Sequence, residues 1–377
     1  MYLFFALVDK INYKAVPLPK GLNIFKHLRA LGIMNFVKEL CMSRIGRYTI
    51  AYSNQPVVAG FGSVAGKKES EGPLKEYFHK IEYDTKLGCD TWEQAESMLQ
   101  KEAIQIALEK AQISGELIQL AFGGDLLNQC ISTGYSIRGF NIPFLGQYGA
   151  CSTMVQSLIL AGLMVDGGYC KNSLAVTSSH FCSAERQFRF PLEYGGQRTP
   201  TAQWTVTGSG AIVVSRYGNG PRLKHCTIGK VVDMGVTDIN NMGAAMAPAA
   251  AYVIETYLND TGSKPEDFDL IITGDLGRVG GTLLISLLAA DGIDIASRYK
   301  DCGTMMFDYE KQDVHAGGSG CGCSAAVLCG YFLDKVKSGE YKNILFCATG
   351  ALMSPTLSQQ GESIPGISHA VHISHKA

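Results

Sequence analysis

Residues 141–180 read NIPFLGQYGACSTMVQSLILAGLMVDGGYCKNSLAVTSSH. The apolar run Ile142 to Leu145 predicts a buried strand, and Gly149-Ala150-Cys151-Ser152-Thr153 a glycine-rich turn. A helix from about Met154 to Asp166 and a second buried strand from Ser173 to Thr177 come next. The turn sets Cys151 near a helix N-terminus, where unpaired backbone N–H groups and the helix dipole favour a thiolate or another anion. This is one way to present a nucleophile. It is equally a place where a small cysteine packs among glycine and alanine, so the rest of the chain has to decide between the two.

With 377 residues, 46% hydrophobic and 18% charged, the chain can bury a large core and has room for two domains or one duplicated one. Its net charge of −1 supplies no basic field, which argues against a nucleic-acid partner. Twelve cysteines lie scattered through apolar segments, a usage that suits reduced thiols in a cytosolic compartment. The longest apolar run, Leu158 to Val165, is a core-helix length, well short of the roughly 18 to 20 residues that span a bilayer. Three patterns imitate cofactor or metal sites without completing them. Val57 to Ala65 looks like a dinucleotide fingerprint, but Gly66-Lys67-Lys68 and Gly72-Pro73 leave no phosphate-binding helix after it. Cys321 and Cys323 with Cys302 lack a second pair or a histidine at ligand spacing, so no metal is expected. His369, His372 and His375 are expected in a solvated tail.

Residues 1–41 fit poorly with the rest of the chain. Ile24, Phe25, Leu28, Leu31, Phe36, Val37 and Leu40 recur at helical spacing between basic and acidic residues, as in a helix lying on a membrane surface or a partner. The preferred reading is an over-extended start, with Met42-Ser43-Arg44 as the true beginning. From Tyr48 strands and helices alternate, which predicts an α/β fold. Strands are expected at Pro56–Ala59, Leu117–Phe122, Gly210–Ser215 and Leu223–Val232. A long helix is expected from Asp90 or Thr91 to Ala111, with an N-cap at its start.

The chain also repeats itself. Residues 108–126, LEKAQISGELIQLAFGGDL, match residues 258–276, LNDTGSKPEDFDLIITGDL, each running from helix end through polar turn and apolar strand to Gly-Asp-Leu. Gly168 to Leu174 answers Gly339 to Leu345. That register, carried back, sets Cys151 opposite Gly322 within the second glycine-rich turn, Gly317 to Ala325. Two copies of one α/β unit are expected, 45–219 and 220–377, with the two turns facing each other where such folds place a ligand crevice.

A duplicated α/β chain with Gly-Ala-Cys-Ser-Thr at 149–153 resembles the thiolase fold and the nucleophile turn of 3-oxoacyl-acyl-carrier-protein synthase III. Gly124 to Gln129, Ser178-Ser179-His180, Ala184 to Arg189, Glu193 to Gln197, Val206 to Ala211, Met246 to Ala251 and Ala316 to Cys321 together resemble the stage V sporulation protein AD family, from about residue 46 onward. The resemblance implies an αβαβα layered fold. It implies binding of dipicolinic acid, usually with calcium, within the machinery that loads this compound into the forespore and bears on germination. Other stage V sporulation A membrane proteins would be partners, and the place would be the cytoplasmic face of the spore inner membrane, held peripherally and without a transmembrane segment. Related enzymes also imply a homodimer.

Condensing enzymes of this fold need, besides cysteine, a His–His or His–Asn pair to stabilise an oxyanion and handle a proton. Here the first position reads Gly274-Asp275-Leu276, and an ionised aspartate donates to no oxyanion. The second, at 317–324, offers glycines, Ser319, Cys321 and Cys323. The expectation is therefore a binding protein, with no cofactor beyond calcium entering with the ligand; an acyltransferase using Cys151 is the alternative. The ligand would meet Cys151, His180, Arg186, Arg189, Asp275, Gly318 and Ser319. At this level Arg186, Arg189 and Arg198 either contact ligand or pair with Glu185 and Glu193. Asp125 and Asp275 are turn caps or hold calcium, and His180 is a ligand donor or a satisfied core histidine.

Overall fold

The computed structural model describes residues 43–188 and 198–376, and residues 44–377 form one compact unit. The expectation for residues 1–41 lies outside the described residues, as does Arg189.

Strands β1 (Thr49–Ala51), β2 (Val57–Gly66) and β3 (Lys80–Glu82) open the described chain, and helix α1 (Trp92–Ala111) comes after them. Next come β4 (Leu120–Gly124), α2 (Ile131–Arg138), β5 (Phe144–Gly146), α3 (Thr153–Asp166), β6 (Asn172–Ser179), α4 (Phe181–Phe188), β7 (Trp204–Thr205) and β8 (Gly208–Ser215). The second half runs β9 (Arg222–Ile228), α5 (Met242–Thr261), β10 (Leu270–Thr273), α6 (Gly277–Ala290), β11 (Tyr299–Asp301), α7 (Cys302–Met306), β12 (Gly318–Ser319) and α8 (Cys321–Val327). A π-turn at Leu328–Phe332, α9 (Leu333–Ser338), β13 (Asn343–Ala351), α10 (Pro355–Gln359) and β14 (Gly366–Ser374) complete it.

The duplication is visible in the pairing. Among the described residues twelve strands form one sheet; ten run β11-β10-β13-β14-β9-β2-β8-β6-β4-β5, with β1 paired to β9 and β3 to β2, so each half places these strands in the same order outward from the middle. In this sheet the halves meet where β2 pairs with β9 at Val57 and Arg222 and where β1 pairs with β9 over Thr49–Ala51. Helices α1 and α5 are both 20 residues long and occupy corresponding places, α1 on β2 and β8, α5 on β14 and β13. Thr91 caps α1, its side chain accepting from the Gln94 N–H in a capping box. Helix α3 is the inner layer: it packs on β6 and β4 of its own half and on β13 and β14 of the other. That position explains why TMVQSLILAGLMVD carries one charge and buries most of its circumference. Helix α8 presses on β8 and β6, and glycine is what permits it. A Cβ on Gly322 would stand 2.4 Å from the Gly208 carbonyl oxygen, and one on Gly210 would stand 2.3 Å from that of Ala325.

Several expectations shift. The Val57–Ala65 stretch, expected to be no phosphate loop, is the interior of β2, longer than the strand expected at Pro56–Ala59 and paired along its length with β8. His369 and His372 do not lie in a tail: β14 is inserted between β13 and β9, and its residues are nearly all buried. A run with both faces covered accepts histidine only if its nitrogens find partners. His372 has them in the Tyr257 hydroxyl at 2.9 Å and the Asn343 side chain at 3.0 Å.

Candidate functional site: a cavity between the two halves

The turn before α3 is tied by its own hydroxyls. Ser152 Oγ donates to the Gly149 carbonyl (2.7 Å), Thr153 Oγ1 to that of Ala150 (2.6 Å), and the Gly149 N–H to Thr153 Oγ1 (3.1 Å). Ala150 sits at φ 50, a left-handed conformation that this network holds in place. The result sets Cys151 on the wall of a cavity of about 260 Å³. First-half walls are Leu126, Tyr148, Ala184, Glu185, Phe188, Gln203 and Thr205; second-half walls are Asn240, Met242, Ser319, Ala351, Leu352 and Met353.

Behind Cys151 stands a buried carboxylate. Asp275 Oδ2 accepts from Ser319 Oγ (3.0 Å) and from the Gly320 N–H (2.9 Å), while Oδ1 accepts from Thr349 Oγ1 (3.1 Å). Cys151 Sγ lies 3.9 Å from Ser319 Oγ. Burial pushes the Cys151 thiol well up, and the charge of Asp275 adds to that effect. The helix N-terminus favours a thiolate, while loss of solvent and the facing carboxylate act the other way and raise the thiol's pKa, as for a small packed cysteine. Burial raises the Asp275 carboxyl as well, against the lowering effect of its donors. Cys321 donates to the Ser178 carbonyl (2.9 Å), and Cys323 lies 3.7 Å from the Gly274 carbonyl. Both are fully buried, and Cys321 packs in one cluster with Cys151, Leu126 and Ala184. Among the described residues no histidine, lysine or arginine lines this cavity.

The structure brings together Cys151, Ser319 and Asp275, with Gly318 beside them in β12, which pairs with β7. It sets His180 and Arg186 elsewhere. His180 Nε2 donates to the Thr85 carbonyl (2.8 Å) and its Nδ1 accepts from the Cys182 N–H (3.2 Å), so both nitrogens are used. Burial lowers its pKa, and it borders a separate cavity of about 120 Å³. Arg186 pairs with Glu93, lies over the Trp92 ring and is half-exposed in a shallow groove on the far side of α4. Arg198 lies over the Trp204 ring, 4.8 Å from its centroid, and donates to the Gln203 carbonyl. Asp125 accepts from the N–H groups of Leu127 (2.9 Å) and Thr133 (2.8 Å) and from Thr133 Oγ1 (2.6 Å), a turn cap. No group of three or more potential metal-ligating side chains occurs among the described residues.

Sequence reasoning missed Glu185 and Gln203 as cavity residues. Glu185 accepts from Thr205 Oγ1 at 2.8 Å. Strand alternation was the available signal: Gln203 and Thr205 face this cavity and Trp204 faces the other.

A duplicated chain with a cysteine turn facing a glycine turn across the half-to-half interface is the thiolase-like architecture. Solved structures agree on the fold. 3-Oxoacyl-[acyl-carrier-protein] synthase III of Aquifex aeolicus VF5 is similar with a TM-score of 0.53, 15% identity, and coverage of 85% of this chain and 99% of its own. A variant of OleA from Xanthomonas campestris is similar with 0.54, 15% identity, 85% and 98%.

Within that class the chain belongs to the stage V sporulation protein AD family, whose family model matches residues 46–374. Stage V sporulation protein AD of Bacillus subtilis (strain 168) is 43% identical over 330 residues, 88% of this chain and 97% of that protein.

Proposed function

We propose that the chain is a binding protein for dipicolinic acid or its calcium complex, serving the membrane-associated machinery that loads this compound into the developing spore. Family membership supports the sporulation setting. The observation that carries the reading is the surroundings of Cys151: Asp275 behind it, and Ser319 with its hydroxyl donated to Asp275, stand where a condensing enzyme needs neutral or cationic donors. A cavity walled by both halves, largely apolar with a few convergent polar groups, is a ligand site in its general chemistry. Among the described residues no helix is long and apolar enough to cross a membrane, in keeping with a peripheral association at the cytoplasmic face through other stage V sporulation A proteins. A homodimer is supported by β5, which ends the sheet with Leu145 exposed and Tyr148 exposed just beyond it.

Calorimetry of the full chain with dipicolinate, with and without calcium and with benzoate as control, tests the reading. Saturable heat with either form of dipicolinate and none with benzoate is expected; silence for all would overturn it. Cys151 on the cavity wall favours a second reading, an acyltransferase. An acyl thioester would then leave a mass adduct on the protein that Cys151→Ser abolishes.

A further inference from the structure

Two loops lie side by side at the end of the sheet remote from the Cys151 cavity. Gly167-Gly168-Tyr169 leads toward β6, and Tyr217-Gly218-Asn219-Gly220 comes after β8. The register of these strands pairs Asn172 with Ser215, and the Arg216 N–H donates to the Lys171 carbonyl at 2.9 Å, which makes the loops neighbours. From there β6 runs eight residues, about 26 Å, to Ser179 and the start of α4, whose Ala184, Glu185 and Phe188 line the cavity. Tyr169 is 75% exposed and Tyr217 71%. Gly168 and Gly218 take φ of 75 and 136, bends that carry the two tyrosines away from the core. Leu117, whose carbonyl accepts from Asn172 Nδ2 at 3.2 Å, adds a third projecting side chain, 53% exposed. The boundary between an apolar and a wet phase is where a tyrosine satisfies both its ring and its hydroxyl.

The charges around these side chains are mostly of one sign. Lys171 and Arg216 flank the tyrosines, and Arg222 and Lys224 stand close by on β9, since Val57 pairs with Ser215 on one side and Arg222 on the other. These cations meet neutral groups. Arg222 donates to the carbonyls of Gln55 (3.2 Å) and Gly218 (3.4 Å), Lys224 donates to Gln55 Oε1 (2.8 Å), and the Arg216 guanidinium lies 5.7 Å from the Tyr217 ring centroid. Burial and then the charge of Arg222 lower the Lys224 pKa, as for a cation beside a cation. Asp166 accepts from the N–H groups of Ser53 (3.0 Å) and Asn54 (2.6 Å), and Glu116 is exposed beside Leu117. Four cations against these two acids leave the surface positive. The second half is mixed in sign at this end, with Lys335 paired to Glu340 at 2.7 Å, so the positive surface is centred on β8 and β9.

We infer that this end of the sheet docks the protein directly on an anionic lipid bilayer, with Tyr169, Tyr217 and Leu117 entering the headgroup region and Lys171, Arg216, Arg222 and Lys224 meeting lipid phosphates. Anionic lipids give a cytoplasmic leaflet a negative surface potential that attracts clustered lysine and arginine, and tyrosine is an interfacial anchor. The inference rests on the peripheral membrane setting proposed above and is independent of the dipicolinate role. Docked in this way, the protein keeps the Cys151 cavity at the end turned away from the lipid.

The test is sedimentation of the full chain with vesicles that carry no other protein, made of phosphatidylcholine alone or mixed equally with phosphatidylglycerol. Binding to the anionic vesicles is expected to be at least roughly tenfold tighter than to phosphatidylcholine and to weaken as salt is raised. Lys171→Glu together with Arg216→Glu is expected to weaken it at least roughly tenfold. Tyr169→Ser together with Tyr217→Ser leaves the charge intact, and is expected to weaken binding roughly threefold to tenfold while the remainder stays salt-sensitive. All four positions are exposed, so both double variants should keep the parent's denaturant midpoint. Absence of sedimentation with anionic vesicles would overturn this inference and leave standing both the dipicolinate role and attachment through other stage V sporulation A proteins. Binding retained in full by both double variants would put the contact on another part of the chain, residues 1–41 included, and overturn it as well.

Discussion

Asp125 and Asp275 occupy the same Gly-Asp-Leu position in the two copies, and they do different work. Asp125 is satisfied within eight residues of itself, by Leu127 and Thr133, and closes a local turn. Asp275 gathers Ser319, Gly320 and Thr349, between 44 and 74 residues away, and through Ser319 it reaches Cys151 of the other half. The copies also differ around these acids. The first half buries Glu96 near Asp125, where burial first and the charge of Asp125 second push its carboxyl up to about 8. The second half likewise buries an acid near Asp275, Asp301, which burial and then the charge of Asp275 push up to about 6, and it carries histidines in β9 and β14 that β2 and β8 lack. Duplication thus left one acid as scaffold and made the other the back wall of a cavity.

The largest effect that sharpens this contrast is expected from removing either acid. Asp125→Ala and Asp275→Ala each strand three donors, and each should cost roughly 3–5 kcal/mol, read from the denaturant midpoint. Only the second-half change should also alter ligand affinity; equal loss of affinity in both would erase the distinction. The milder pair Asp125→Asn and Asp275→Asn repeats the comparison in proteins that stay folded.

Acid should strike the second half first. Burial depresses His369 to about 4 and His372 to about 3, while an unfolded chain titrates near 6.5. Between those values the unfolded state binds more protons, so stability falls as pH falls through the window from about 6.5 toward 4. At about pH 5 the loss is roughly 2 kcal/mol per histidine. Hydrogen exchange at that pH should open β9 and β14 before β2 and β8, and uniform exchange in all four strands would count against this ordering.

The smallest effect is expected at Arg186. Its guanidinium is paired with Glu93 in a groove separate from the cavity. Arg186→Ala should therefore change dipicolinate affinity by less than about twofold, within ordinary surface-substitution effects. A loss of roughly tenfold or more would mean that α4 presents this side chain to the ligand, contrary to the pairing described.

Much of the fold was legible. The long helix α1, the repeated Gly-Asp-Leu ends and the Cys151 turn arise from local periodicity and turn chemistry, which depend on neighbours a few residues apart. Strand β14 was not, although GISHAVHIS has a strand's composition apart from its histidines. Those find partners only on other elements, His372 in Tyr257 and Asn343 and His369 in the Gly229 N–H. The site divides in the same way. Cys151 and Ser319 could be named because their turns are glycine-marked. His180 and Arg186 were drawn toward the cavity by sequence proximity to motif residues, yet their partners Thr85 and Glu93 lie 95 and 93 residues away. Alternation with Thr205 was the one signal for Gln203, and its anchoring depends on two carbonyl partners 72 and 115 residues away.

The central claim is that the cavity beside Cys151 holds the ligand and does no covalent chemistry there. Alkylation of Cys151 by iodoacetamide, followed at mildly alkaline pH with and without saturating calcium dipicolinate, tests it most directly. The account predicts slow modification of the parent protein, because the thiol is buried and its pKa raised, and at least roughly tenfold further protection when the ligand is bound. Rapid alkylation near neutral pH, unchanged by the ligand, would contradict it.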